Sequence, residues 1–315
     1  MDLIDKKFLF VVGKGGVGKT TASVALSLAA ARTGKRVLLA LCNAKDRVSH
    51  MLEVPPLTPQ VANALPNIDV VNMEPSAALE EYGMMVLKVR ALYKMIFENR
   101  FVSGFLHGTP GLDAWAMLGK AQHHALEVDD EGVERYDLVI VDAPATGHGL
   151  DLLRVPKVIV DVAPPGPLRR EAERAWELFS DPKRCGVLLV ALAEDMPTNE
   201  TLELHQVVTS ELRMPIAGLV INAVLRELFQ NGDSHTLERL AQAFPDLDTP
   251  EHQVIRAGRA RASLEEVQRE CIGRLKRGID GPVWQLPRLS TQDLRRAEAE
   301  ALSLHLSGLD RADAR

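Results

Sequence analysis

Residues 13–21 read GKGGVGKTT and fit the pattern G-x-x-x-x-G-K-[ST]. No other feature of the chain narrows the fold as far. Gly13, Gly15, Gly16 and Gly18 let the backbone turn its N–H groups toward one point, and a helix that follows adds its positive end there. A phosphate satisfies that arrangement. Lys19 would then reach the β- and γ-phosphates, and the Thr20 hydroxyl would ligate Mg²⁺. Val17 and Thr21 lie in the same cradle and count among its binding residues.

The flanks supply the context this loop requires. Residues 8–12 (FLFVV) are wholly apolar, as in a strand buried on both faces, and residues 21–32 (TASVALSLAAAR) are helical with Gly34 as a C-cap. Further apolar runs at 36–42, 68–71, 137–141, 157–162, 186–193 and 216–221 read as strands, with helical patterns between several of them. The alternation predicts an open, mostly parallel α/β sheet with helices on both faces, a P-loop NTPase core. Hydrophobic residues at 46% exclude a disordered chain, and a net charge of −6 leaves no basic footprint for nucleic acid or for an acidic membrane. Cys42, Cys185 and Cys271 form no CxxC, so neither a disulfide framework nor a zinc site is expected. Residues 1–8 lack an export signal, and no apolar run reaches the roughly 18 residues of a membrane span. A cytoplasmic protein with no intrinsic membrane anchor is expected.

Residues 76–126 interrupt the strand–helix rhythm and read as a small helical insertion, leaving 1–75 and 127–315 as the core. Within it, 81–98 carries two apolar stripes, Tyr82, Met85, Val86, Val89, Tyr93 and Ile96 on one side and Met84, Leu87, Ala91 and Met95 nearly opposite. Such a helix is buried on two sides of its own chain or offers one stripe to a partner.

Lys14, a second lysine inside the loop, carries the comparison further. The string KGGVGKTT resembles the deviant Walker A of the dimeric ATPases that include ParA, MinD, the nitrogenase iron protein and the ArsA/Get ATPases. By that resemblance Lys14 crosses a dimer interface to the partner's nucleotide, and two chains face each other across two ATPs. Residues 136–156 (YDLVIVDAPATGHGLDLLRVP) resemble the Walker B and second switch of the ArsA/Get family, matched at Asp142, Ala143, Pro144, Thr146, Gly147 and His148. Asp142 ends a strand beside the loop, where a carboxylate can orient a Mg²⁺-bound water; His148 is read as a structural switch residue. Residues 109–120 resemble the family's Pro-Gly segment, and 192–204 a stretch centred on Glu200 and Thr201. The match at 220–225 implies that Asn222 reads adenine, and 283–289 resembles a late loop with Pro287 as its packing residue.

The chain departs from the family at the first switch. Aligning the second strand places Asn43 where the family has the aspartate that positions the attacking water. An amide can bond a water but cannot take its proton. Asp46 could substitute only through a large loop shift. The lack of a CxxC in 256–275 leaves nucleotide and apolar surface to hold a dimer, and arsenite-binding cysteines are not evident. His107, His123 and His124 do not converge on one ion, since adjacent helical residues point about 100° apart. The insertion is short for a trough that would hold a membrane-spanning client, and residues 291–310 read as an acidic helix packed on the sheet.

The resemblance therefore implies an ATP- and Mg²⁺-dependent dimeric switch with slow hydrolysis, its catalytic group being Lys14, Lys19, Asn43 and Asp142. The output would be client or partner binding through 76–126. A homodimer and a heterodimer with a paralogous ATPase both fit. The alternative is a hydrolysis-impaired ATP-binding regulatory module.

Overall fold

The computed structural model describes residues 3–87, 111–144, 146–163, 165–230, 233–244, 249–291 and 293–306. Elements are numbered here in chain order among those residues. An eight-stranded sheet runs β3-β4-β2-β5-β1-β6-β7-β8. Its strands are β1 (Phe8–Val12), β2 (Val37–Cys42), β3 (Ala62–Leu65), β4 (Ile68–Met73), β5 (Leu138–Asp142), β6 (Cys185–Leu192), β7 (Ile216–Val224) and β8 (Val283–Pro287). All pairs are parallel except β3 with β4, which is antiparallel at one edge.

Side chains alternate across the sheet, so β1 feeds both cores. Phe8, Phe10 and Val12 enter one layer together with Trp115 and Phe179, while Leu9 and Val11 enter the other with Leu26 and Leu39. The central strands are apolar at every position for that reason. The first layer is covered by α3 (Pro75–Leu87), α4 (Leu112–Leu126), α5 (Thr146–Val162), α6 (Pro167–Ser180) and α7 (Asp195–Gln206). The second is covered by α1 (Lys19–Arg32), α2 (Val48–Leu52) and α10 (Arg296–Leu304). Two more helices, α8 (Asp233–Ala243) and α9 (Pro250–Gly278), follow β7 and precede β8 along the chain.

Three sequence expectations change. The apolar run at 157–162 is the last part of α5 and not a strand. Its register explains this: Val155, Val158, Ile159 and Val162 recur at helical spacing and share one groove. Residues 283–287, expected in a loop, form edge strand β8, with Trp284 and Leu286 buried and Gln285 exposed between them. The short strand β3 was not anticipated; its exposed first residues leave no apolar signature. Elsewhere the expected strands stand with small changes of boundary. Helix α10 packs on α1, where the Arg32 guanidinium donates to Ser303 Oγ at 2.7 Å. The expected insertion, as described, holds α3 and α4; the side chains of the two-stripe pattern from Tyr82 onward, and His107, lie outside what is described.

Phe179 closes α6 onto the sheet, its ring 5.0 Å from those of both Phe8 and Phe10. Phe179→Ala should cost about 3–5 kcal/mol, read as a lowered midpoint in urea unfolding.

Candidate functional site

The carboxyl ends of β1, β5 and β2 converge on one point. The register sets Asp142 beside Val11 on one side and Leu41 on the other, so the last residue of β5 lies between the start of the glycine loop and the start of the first-switch segment. A ligand site at such strand ends is the general rule for open α/β sheets.

The glycine loop is held tightly from both sides. A Cβ on Gly13 would lie 2.3 Å from the Val190 carbonyl oxygen of β6. Gly18 has φ +92, and a Cβ there would lie 2.0 Å from the Asn222 amide nitrogen. That amide donates to the Val17 carbonyl at 2.9 Å. Glycine is thus required at both ends of the turn, by close approach at Gly13 and by backbone sign as well at Gly18. Gly15 and Gly16 are exposed, whereas Val17 is buried as the loop's anchor.

Lys19 folds inward and donates to the carbonyls of Gly13 and Lys14, both at 3.1 Å. Burial pushes its ammonium below the ordinary lysine value, and the Asp142 carboxylate partly offsets this. Thr20 Oγ1 donates to Asp142 Oδ2 at 2.7 Å, and Ser23 Oγ, one helical turn on, lies 3.4 Å from Oδ1. Asp142 is only 3% exposed. Burial lifts its carboxyl to about 6, against the hydroxyl of Thr20, the charge of Lys19 and the hydroxyl of Ser23. A hydroxyl and a buried carboxylate one hydrogen bond apart are hard oxygen donors of the kind Mg²⁺ takes.

Lys14 turns the other way and ion-pairs with Glu200 of α7, in its own chain. Thr21 follows in the first turn of α1. Asn222 also borders a cavity of about 390 Å³ beside Gly16, walled by Leu225, Leu264, Val267 and Arg288. Pro287 sits at the end of β8 in register with Val224, and its neighbour Arg288, not Pro287, forms the wall.

The first-switch segment leaves β2 through Asn43, which is exposed and has φ 46, a left-handed backbone that asparagine tolerates. Its N–H donates to Met73 O at 2.9 Å. Asn72 braces the next residue through both its amide atoms, accepting from Ala44 N at 3.2 Å and donating to Ala44 O at 2.9 Å. Asp46 is already engaged: Oδ1 accepts from Ser49 N at 3.0 Å and Oδ2 from Leu57 N at 2.9 Å. Burial opposes its ionisation, but these amide donors outweigh it and hold the carboxyl below its usual range. Asp46 is a turn-holding residue. Asn72 and Ser23 belong to no motif; the one-turn spacing of Ser23 from Thr20 along α1 is the only mark it leaves in the sequence. The His148 side chain lies outside what is described.

Residues 6–163 match the anion-transporting ATPase family, the ArsA ATPases. The chain belongs to the ArsA ATPase family. It is 28% identical over 253 residues to the ATPase BagA of Mycobacterium tuberculosis H37Rv, covering 79% of this chain and 73% of that protein. It is 28% identical over 233 residues to the arsenical pump-driving ATPase of Escherichia coli, where the match covers 69% of this chain and 39% of that protein. It is 26% identical over 262 residues to the ATPase GET3 of Kluyveromyces lactis, covering 72% and 75%. The family match takes in the glycine loop, both switch segments and α5. Among the described residues of this ArsA relative, no helix is long and apolar enough to cross a membrane. His124, one of the candidate ligands, is instead packed: Nδ1 pairs with Glu127 at 2.9 Å and the ring stands edge-on to Tyr136.

The raised carboxyl of Asp142 has a stability consequence. Between 3.8 and about 6 the folded chain keeps a proton that the unfolded chain has lost. That contribution is full below the lower value and disappears as pH rises through the upper one. Asp142→Asn should therefore stabilise the nucleotide-free chain at neutral pH by about 2–3 kcal/mol, with no gain below pH 3.8. Thermal unfolding at several pH values checks this.

Proposed function

We propose that this chain is an ATP- and Mg²⁺-dependent switch that works as two chains and hydrolyses ATP slowly. The observation that carries the proposal is the Thr20–Asp142 contact at 2.7 Å, set against the inward-folded Lys19. Thr20 and Asp142 would hold Mg²⁺, which supplies charge neutralisation to the triphosphate when bound. Lys19 exchanges two loop carbonyls for phosphate oxygens, and the N–H groups of the loop complete the cradle. The ring of the base would occupy the cavity beside Gly16. With one N–H of its amide given to the Val17 carbonyl, Asn222 keeps Oδ1, an acceptor suited to the 6-amino group of adenine.

Hydrolysis should be slow because neither first-switch candidate is a free base. Asn43 cannot accept a proton, and both oxygens of Asp46 are taken by backbone amides. The same observation favours the second reading, an ATP-holding regulatory module with negligible turnover, and the pairing of this chain with a paralogous ATPase whose first switch is intact. Asn43→Asp separates these. In the switch reading it raises kcat on the order of 10²-fold in steady-state phosphate release; no gain leaves the regulatory module.

The output would be binding. Helix α5 starts just past Asp142 and Pro144 and ends in an apolar groove of about 480 Å³, walled by Leu112, Val155, Val158, Ile159, Val162 and Leu168. A change in nucleotide state at Asp142 would move α5 and with it the wall of this groove, next to the 76–126 helices. That groove is the natural place for an apolar segment of a client protein.

Lys14 would serve the partner chain's triphosphate. Lys14→Ala should abolish ATP-dependent self-association in sedimentation velocity while one-chain nucleotide affinity changes only a few-fold; association that persists defeats the trans-lysine role.

A further inference from the structure

The two lysines of one loop face opposite ways, and only one of them faces its own phosphate cradle. Lys19 lies on the loop carbonyls. The Lys14 ammonium instead reaches across to the Glu200 carboxylate, with 44% of the lysine side chain and 23% of the glutamate side chain exposed. The residues are separated by 186 positions and meet only because β6, which leads into α7, is the immediate neighbour of β1.

Glu200 stands on a fixed mount. Its neighbour Thr201 is 1% exposed and bonds the Pro197 carbonyl at 2.7 Å, and Leu204 is buried one turn later. On its other flank α7 is tied to α9: Arg274 bonds Asp195 at 3.3 Å and also Asn199. The helix that carries the carboxylate is anchored, so a reach by Lys14 beyond the length of the glutamate arm breaks the pair.

We propose that Glu200 is a positioning residue for Lys14: it keeps the ammonium inside its own chain and yields it only to a triphosphate presented by a second copy. The inference rests on the trans-lysine reading above. The physical balance is simple. A half-exposed lysine–carboxylate pair is weak, so it can be exchanged. A triphosphate carries more negative charge than one carboxylate and wins the lysine once a second chain brings it within reach. Without that chain, a free ammonium gains nothing over the pair. Glu200 thereby raises the protein concentration at which nucleotide joins two chains.

The test is Glu200→Gln, which keeps the shape and removes the charge. Two measurements are needed. In the nucleotide-free chain, the acylation rate of Lys14, followed by peptide mass spectrometry, should rise, and added salt should bring the unaltered chain toward the same rate. With Mg²⁺ and the non-hydrolysable analogue AMP-PNP, half-association in sedimentation velocity should come at about two- to fivefold lower protein concentration. Glu200→Asp, which keeps the charge on a shorter arm, should fall between. A merely structural role would lower the melting temperature and would not strengthen association. Unchanged Lys14 labelling, or association that is unchanged or weakened in Glu200→Gln while the unaltered chain associates normally, overturns the inference alone. Faster labelling with neither protein associating overturns the two-chain reading, and the exchange falls with it.

Discussion

The hydrogen bond from Thr20 to a buried carboxylate at the end of β5 is the contact on which the site depends. Asp142 can occupy that position only because β5 lies between β1 and β2, which places its last residue against the helix that the glycine loop starts. Removed from water, the carboxylate is costly to ionise and takes what donors it finds, the hydroxyls of Thr20 and Ser23 and the field of Lys19. A divalent cation would relieve that cost.

Around this contact the chain divides its polar residues into holders and reachers. Asp46, Asn72 and Asn222 spend their side chains on backbone groups of the glycine loop, the segment after β2 and the first turn of α2. Those loops would otherwise bury unpaired N–H and C=O groups. Lys19 and Lys14 are the reachers: Lys19 lies on the carbonyls of its own loop, and Lys14 crosses to the Glu200 carboxylate. The distinction decides how Asp46 is understood. Its charge and proximity to the first switch suit catalysis, but two backbone amides already hold it. Asp46 is thus a structural residue of the turn after β2.

Most of the sheet was legible because its central strands are buried on both faces and read as unbroken apolar runs. The failures came where that signal fades or misleads. Val158, Ile159 and Val162 look like a strand in isolation, yet they complete a helix whose wide apolar side faces a groove. At β8, burial alternates at an edge, and the short run VWQLP was too weak to separate from a loop. The loop residues were legible as a set because their spacing is a local geometric demand. Their second partners were not: Asn222 against Val17 and Glu200 against Lys14 join residues far apart in the chain.

The sequence by itself determined the glycine loop and the alternation that forces a parallel sheet. These are local or periodic properties, written in neighbouring residues. Tertiary structure alone decided which way each lysine points, that Asp46 is committed, and that the end of α5 forms a groove. Each of those depends on which strands become neighbours, and strand order is a property of the folded sheet that no single segment encodes.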